Sequence, residues 1–342
     1  MQQKLSINKN NKLPFSTHDR VLILTDLEPD DVLAIRLLRK IIPDAVPILV
    51  VVGESNMDKT SLAYNIFNKY GYSNINVIRG KSSNKEYPKD ALYSFEESND
   101  KDVNVVNADN ALVAASHITK FLGITDTEIC PLIIAIKPLW ELLYIDKNIL
   151  LKCVMLLYGS FNIRAMRGGG SDKLFEFLNN QFKYVIMYES FFATKEMNSI
   201  NNANAPILFA NLDVELTKMI IAWNKHILKE CLTTITELAI RMSANLNQMD
   251  LLVKDHDRLV NRNLKIVTNI IDAQGMQMVL ADSGLIAYVF NNMQSGTIQR
   301  GSISVDTLGY TKMTQSEDNL SKIYLITDVD AFELIKGIEN LM

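Results

Sequence analysis

Short, unbroken apolar runs separated by stretches of helical spacing constrain this chain more than any other feature. The first run, Val21-Leu22-Ile23-Leu24, is followed by a polar elbow from Thr25 to Asp31. Then comes Val32-Leu33-Ala34-Ile35-Arg36-Leu37-Leu38, with the spacing of a helix. An apolar run of about four to eight residues bounded by turn formers is the pattern of a strand buried on both faces, as parallel strands are. A second run, Pro47 to Val52, ends at Gly53; a helix is expected over Lys59–Tyr70, and a third strand at Asn76-Val77-Ile78 before Gly80. The rhythm continues with a helix near Ala108–Phe121 and strands at Leu132–Ile136 and Val154–Leu157, with Tyr184–Met187 and Ile207–Phe209 as further strand candidates. This alternation predicts an α/β fold, an open and mostly parallel central sheet flanked by helices. From Glu215 to about Met249 the helical spacing becomes long, and the whole region 215–275 can overhang one edge of the sheet. No linker composition and no fixed repeat interrupts the chain. A single large domain over residues 20–342, behind a polar lead-in at 1–19, is therefore expected.

Composition narrows the partners. With 48% hydrophobic and 22% charged residues over 342 positions, the chain can bury a core without disulfides or a structural metal. Its net charge of -4, with no dense basic block, argues against a nucleic-acid polymer as partner. Cys130, Cys153 and Cys231 are odd in number and widely spaced, so they read as reduced cysteines rather than a zinc or disulfide framework. No apolar run reaches the ~18 residues of a membrane span. The polar start, Met1 to Asn11, lacks the apolar stretch of a secretory signal, so a cytoplasmic protein is expected. Delivery into another cell would leave no mark on these features.

The segment Thr25-Asp26-Leu27-Glu28-Pro29-Asp30-Asp31 places four acids within six residues, directly beyond the carboxyl end of the first strand. In open α/β sheets that edge is where ligands bind. Acids are also common in the first turn of a helix, where free N–H groups favour negative charge. Crowding weighs against that bland account, because two like charges ~4 Å apart repel by about 4 kcal/mol at an effective dielectric of 20. Converging carboxylates need a cation, a raised pKa or outward rotamers. A hard cation with oxygen ligands, calcium or magnesium, suits such a set better than zinc.

Asp26, Asp30 and Asp31 have the DxxxDD spacing with which the inosine–uridine-preferring nucleoside hydrolases open, and the chain resembles that family in several later segments. Val50-Val51-Val52-Gly53 resembles its second strand, with Glu54 where an Asn usually follows the Gly. Asn76 to Gly80 resembles a short strand ending in Gly, and Ile134-Ala135-Ile136-Lys137-Pro138-Leu139-Trp140 the segment whose main-chain carbonyl binds the metal, with Trp140 at that place. Glu176-Phe177 resembles a Glu-Phe-Asn motif with Asn179 displaced by one position, and Pro206 through Thr217 a core strand and turn. Ala281-Asp282-Ser283-Gly284-Leu285-Ile286-Ala287-Tyr288 resembles His-Asp-Pro-x-x-Ala. The tail follows the same order, with Ser295 to Gly301, Ile326 to Asp330 and a last helix.

The resemblance implies a nucleoside hydrolase-like fold and metal-dependent hydrolysis of the N-glycosidic bond of a ribonucleoside or related ribosyl compound, through an oxocarbenium-like transition state. It implies Asp26 as ligand and general base, with Asp31, Asp282 and the Trp140 carbonyl completing the shell of a calcium or magnesium ion. Asp30, Glu54, Glu176 and Asn179 would bind the ribose hydroxyls. A homodimer or homotetramer and a small nucleoside-like substrate, with no membrane partner, are the corresponding expectations.

The chain departs from the family's pattern at several positions, most of all on the side of the leaving base. Ala281 replaces the His that can protonate it; Leu24 stands where an outer acid is usual, and Leu27-Glu28-Pro29 replaces the usual Pro-Gly. Of the four histidines, His18 precedes the fold, His117 falls on a helix, and His226 and His256 lie in the long helical region. Gly168-Gly169-Gly170 lacks the Lys-Ser/Thr of a phosphate loop and reads as a loop flanking the site. Two alternatives stay open: cleavage of a ribosyl bond in a nucleotide such as NAD or ADP-ribose, for which Lys81, Lys137, Arg164 and Arg167 are the available cations, or a catalytically silent metal- or nucleoside-binding protein.

Overall fold

The computed structural model of the chain describes residues 20–53, 59–81, 111–123, 131–137, 140–150, 152–159, 184–189, 281–291, 296–305, 311–315, 323–327 and 329–342. The chain separates into two compact units: Met1–Tyr87, Phe95–Met197 and Val279–Met342 form one, Pro88–Ser94 and Asn198–Met278 the other. All the described residues belong to the first. The expected strand at Ile207–Phe209, the glycine run 168–170 and the helical region 215–275 lie outside the described residues.

The apolar runs are strands where the sequence predicts them. β1 (Val21–Thr25), β2 (Ile48–Val52), β3 (Ile75–Arg79), β4 (Leu132–Ile136), β5 (Val154–Gly159) and β6 (Tyr184–Glu189) are all parallel. Every residue of β1, β2 and β4 is buried, which is why these segments carry no polar alternation. β9 (Ile323–Thr327) pairs in parallel with β6; β7 (Thr297–Val305) runs antiparallel to it, and β8 (Thr311–Gln315) antiparallel to β7. The spatial order is β3-β2-β1-β4-β5-β6-β9-β7-β8, a mostly parallel sheet of nine described strands.

This order contains a reversal. From β1 the chain steps outward to β2 and β3, then returns past β1 to β4 and continues the other way. Right-handed crossovers place the helices of opposite steps on opposite faces of the sheet. Accordingly, α3 (Ala111–Leu122), which joins β3 to β4, packs Ala114, Ala115, Ile118 and Leu122 on Leu22, Leu24, Leu49, Val51, Ile133 and Ala135. These strand residues are mutual register partners and so share one face. α1 (Pro29–Leu38) contributes nothing to that cluster and packs along α5 (Ala281–Phe290), which in turn rests on β5 and β6. Residues Asp282 to Tyr288 are all buried, so α5 is an interior helix, as its nearly continuous apolar sequence requires. The C-terminal helix α6 (Ala331–Leu341), capped by the Asp330 carboxylate on the Glu333 N–H at 2.8 Å, packs against α5.

At the carboxyl edge on the α3 face lies a closed charge pair. Lys137 Nζ donates to Glu141 Oε1 at 2.7 Å, with the two side chains 1% and 0% exposed. Glu141 belongs to the 3-10 turn Trp140–Tyr144 and also accepts the Lys81 N–H at 2.8 Å, tying the ends of β3 and β4 together. Glycine is required beside it: a Cβ on Gly53 would come 2.6 Å from the Lys81 carbonyl, and one on Gly80 would meet Glu141 Oε1 and come 2.8 Å from Val51 Cγ1. Removing one partner of a buried ion pair leaves an uncompensated charge, whereas replacing both by apolar groups is often close to neutral. Glu141→Leu is thus expected to lower the unfolding free energy by about 3–5 kcal/mol. The double variant Glu141→Leu/Lys137→Met should recover most of that loss, as read by urea unfolding.

Candidate metal centre

The reversal between β1 and β4 defines the switch point of the sheet, the crevice in which open α/β folds bind ligands. The elbow after β1 fills it. Asp26 follows the strand, Leu27 turns the chain, and Pro29 opens α1 at a position where its missing N–H costs nothing. Asp30 and Asp31 occupy the first turn of α1, and Asp282 the first turn of α5. Two packed helices therefore bring their N-termini, and the partial positive charge of their free N–H groups, to one point. Both helices carry small buried residues, Ala34 in α1 and Ser283, Gly284 and Ala287 in α5.

Each of Asp30, Asp31 and Asp282 offers one carboxylate oxygen, and the three lie within 4.8 Å of one another. Asp31 and Asp282 are 1% and 3% exposed, while Asp30 keeps a partly open side. Asp31 is held at both oxygens: Oδ1 accepts the Thr25 hydroxyl at 2.5 Å, and Oδ2 the Glu28 N–H at 3.2 Å. Asp282 Oδ1 is buried without a hydrogen-bond partner among the described residues. Burial, followed by the charge of Glu28, raises the Asp30 carboxyl to about 7. Burial and then the charges of Asp282 and Asp30 push Asp31 well above the usual range, against the opposing Thr25 hydrogen bond. Asp282 is raised by burial, then by Asp30 and Asp26, while its hydrogen bond to Asp31 opposes this.

A hydrogen bond between two carboxyls exists only if they share a proton, and a cation can take the proton's place. Oxygen-only donors, a partnerless buried oxygen and mutual repulsion suit a hard divalent ion, calcium or magnesium, rather than a soft one. Asp26 is 7% exposed and close enough for its charge to raise Asp282, yet it stands outside the group of three. The backbone of Trp140 begins the 3-10 turn beyond β4. Glu54, Glu176 and Asn179 lie outside the described residues, as do His18, His226 and His256. His117 sits on α3, across the sheet from the acids. Leu24, at the place of an outer acid, is buried in the α3-face cluster. Lys137, one of four cations available to a phosphate, is taken by Glu141.

Sequence reading missed the roles of two residues that hold the elbow. Thr25 is the hydroxyl bridge to Asp31, and Lys59, 2% exposed at the start of α2 (Thr60–Lys69), donates to the Asp26 carbonyl. Neither stands in a motif, and a lone lysine before a helix gives no signal. Leu27 is also unusual: it is fully buried with φ 56°, a left-handed conformation that costs a non-glycine residue roughly 1–2 kcal/mol.

No protein-family model and no curated protein matches the sequence. Solved structures do resemble its fold. An inosine-uridine preferring nucleoside hydrolase from Bacillus anthracis matches with a TM-score of 0.52 at 16% identity, over 94% of this chain and 98% of that one. An inosine-guanosine nucleoside hydrolase matches with 0.53 at 13% identity, over 95% and 98%. An effector protein matches with 0.50 at 12% identity, over 95% and 94%. The chain thus has the fold of the nucleoside hydrolases, and at these identities the likeness is one of fold.

Proposed function

We propose that this chain is a divalent-cation-dependent N-ribohydrolase that splits the N-glycosidic bond of a ribonucleoside or related ribosyl compound. The observation that carries the reading is the convergence of the Asp30, Asp31 and Asp282 oxygens within 4.8 Å at the switch point. The names of two structural neighbours, both nucleoside hydrolases, support the substrate class. A calcium or magnesium ion there supplies Lewis acidity toward water and hydroxyl oxygens. Asp31, Asp282 and the Trp140 carbonyl would hold it, and Asp26, at the edge of the group, would take the proton of the attacking water. Asp30, partly open and shared with the cluster, would accept from ribose hydroxyls, with Glu54, Glu176 and Asn179 in support. Such contacts fix the sugar in the geometry of attack. The nucleotide alternative is weakened because Lys137 is closed off by Glu141.

Free ribose released from a nucleoside panel is expected to require calcium or magnesium. Asp31→Asn and Asp282→Asn should each lower the rate by about 100-fold or more, the upper end of what even outer contacts of a metal cost. Equal rates in EDTA would refute the reading.

Ala281 supplies no proton to a departing base, and a positioned general acid contributes about 10²–10⁴-fold. A ribosyl compound whose leaving group departs unprotonated, such as p-nitrophenyl riboside, is therefore expected to outpace inosine by about 100-fold or more. Comparable rates would place a general acid elsewhere in the chain.

Without metal, the three raised carboxyls make stability fall as pH rises. The unfolded chain ionises its Asp side chains near ~3.9, whereas folded Asp30 holds its proton to about 7, so between those values the folded state binds more protons. EDTA-treated protein should melt higher at pH 5.5 than at pH 8. Added calcium should raise the melting temperature more at pH 8 than at pH 5.5. An EDTA-treated protein that melts higher at pH 8 contradicts this account.

A further inference from the structure

The peptide that joins Asp26 to Leu27 is gripped at both of its polar groups. Its carbonyl accepts from Lys59 Nζ, and its N–H donates to Thr25 Oγ1 at 3.0 Å. The Thr25 hydroxyl in turn donates to Asp31 Oδ1 at 2.5 Å. Every donor in this series points the same way: ammonium to carbonyl, amide to hydroxyl, hydroxyl to carboxylate. Hydrogen bonds aligned head to tail polarise one another, most of all where the dielectric is low. Lys59, Thr25, Leu27 and Asp31 are 2%, 0%, 0% and 1% exposed, so water does not compete. The same peptide plane sets φ of Leu27, the one described non-glycine residue in the left-handed region. A conformation of this cost persists only when its surroundings over-determine it.

We propose that Lys59 is a positioning residue of the acidic site, wired through the 26–27 peptide and the Thr25 hydroxyl to Asp31. It holds the elbow in its left-handed turn and presents Asp31 to a bound divalent cation. Lys59 touches neither the sugar nor the reacting atoms in this role. The inference rests on the cation site proposed above, and it makes Thr25 and Lys59 parts of one device rather than two separate contacts.

The test is calorimetric titration of calcium chloride into the EDTA-stripped full chain, beside hydrogen exchange of the Leu27 amide without metal. Lys59→Met and Thr25→Val should each weaken calcium binding by about 10–100-fold, the usual cost of losing an outer partner of a metal site. Thr25→Ser, which keeps the hydroxyl, should bind like the wild type. The double variant should be no weaker than the worse single one, since both break the same series. Each of the two single losses should also speed Leu27 exchange. Unchanged affinity in Lys59→Met, fully additive losses, or unchanged Leu27 exchange would overturn the inference while the cation reading stands. A wild-type chain that binds neither calcium nor magnesium would overturn the cation reading itself, whatever the Leu27 amide does. Should Lys59→Met not fold, Lys59→Gln takes its place, with the same expectations and the same overturning results.

Discussion

Two like charges about 4 Å apart repel by about 4 kcal/mol at an effective dielectric of 20. The oxygens of Asp30, Asp31 and Asp282 lie within 4.8 Å of one another, with two of the three side chains almost fully buried. A domain's net stability is only about 5–15 kcal/mol, so full ionisation of such a group without relief would consume much of it. Relief comes in part from the protein. The α1 and α5 N-termini offer free N–H groups, the Thr25 hydroxyl and the Glu28 N–H donate to Asp31, and burial raises the three carboxyls so that they hold protons more readily. Protons are the weaker remedy above neutral pH, which is where a divalent cation becomes the stronger one.

The sheet order explains why the charges meet. Reversal of strand order between β1 and β4 opens a crevice at their carboxyl ends, with α3 on one face of the sheet and α1 and α5 on the other. Asp282 follows Asp31 by some 250 residues in sequence, yet needs only the packing of one helix along another to reach it.

The sequence made the strands of the sheet centre legible, since burial on both faces demands unbroken apolar runs such as Val21–Leu24 and Ile134–Ile136. β7 and β8 escaped that reading because segments such as Thr311-Lys312-Met313-Thr314-Gln315 mix polar and apolar residues, as antiparallel strands can. The described part of helix α3 covers Ala111–Leu122, and the expected start near Ala108 lies outside the described residues. Asp26, Asp30 and Asp31 announced themselves by local density, whereas Asp282 was reached only through resemblance to a family. Asp30, expected as a sugar contact, stands within the group of three, and Asp26, expected as a ligand, at its margin. Which carboxyl of a dense cluster turns inward depends on rotamers and on partners such as Thr25, and spacing does not encode these. The pair Lys137 and Glu141 is visible as an i,i+4 spacing, but such spacing ordinarily marks a solvated helix face, not a sealed pair at a strand end.

That sealed pair and the acidic group divide the carboxyl edge into two halves with opposite electrostatic logic. On the α3 face, one ammonium and one carboxylate cancel at 2.7 Å, a third group, the Lys81 N–H, joins them, and Gly53 and Gly80 keep their Cα atoms bare so that the cluster closes. On the α1 and α5 face, three carboxyls gather, and Lys59 donates to the main chain of the elbow beside them. A fold that can bury a neutralised pair beyond the adjacent strand β4 has the means to neutralise this group as well. Left acidic, the group could take a cation, and the hydrogen-bonded elbow fixes the Asp31 carboxylate on the protein side. The charge imbalance, more than any single residue, sets this half of the edge apart from the other.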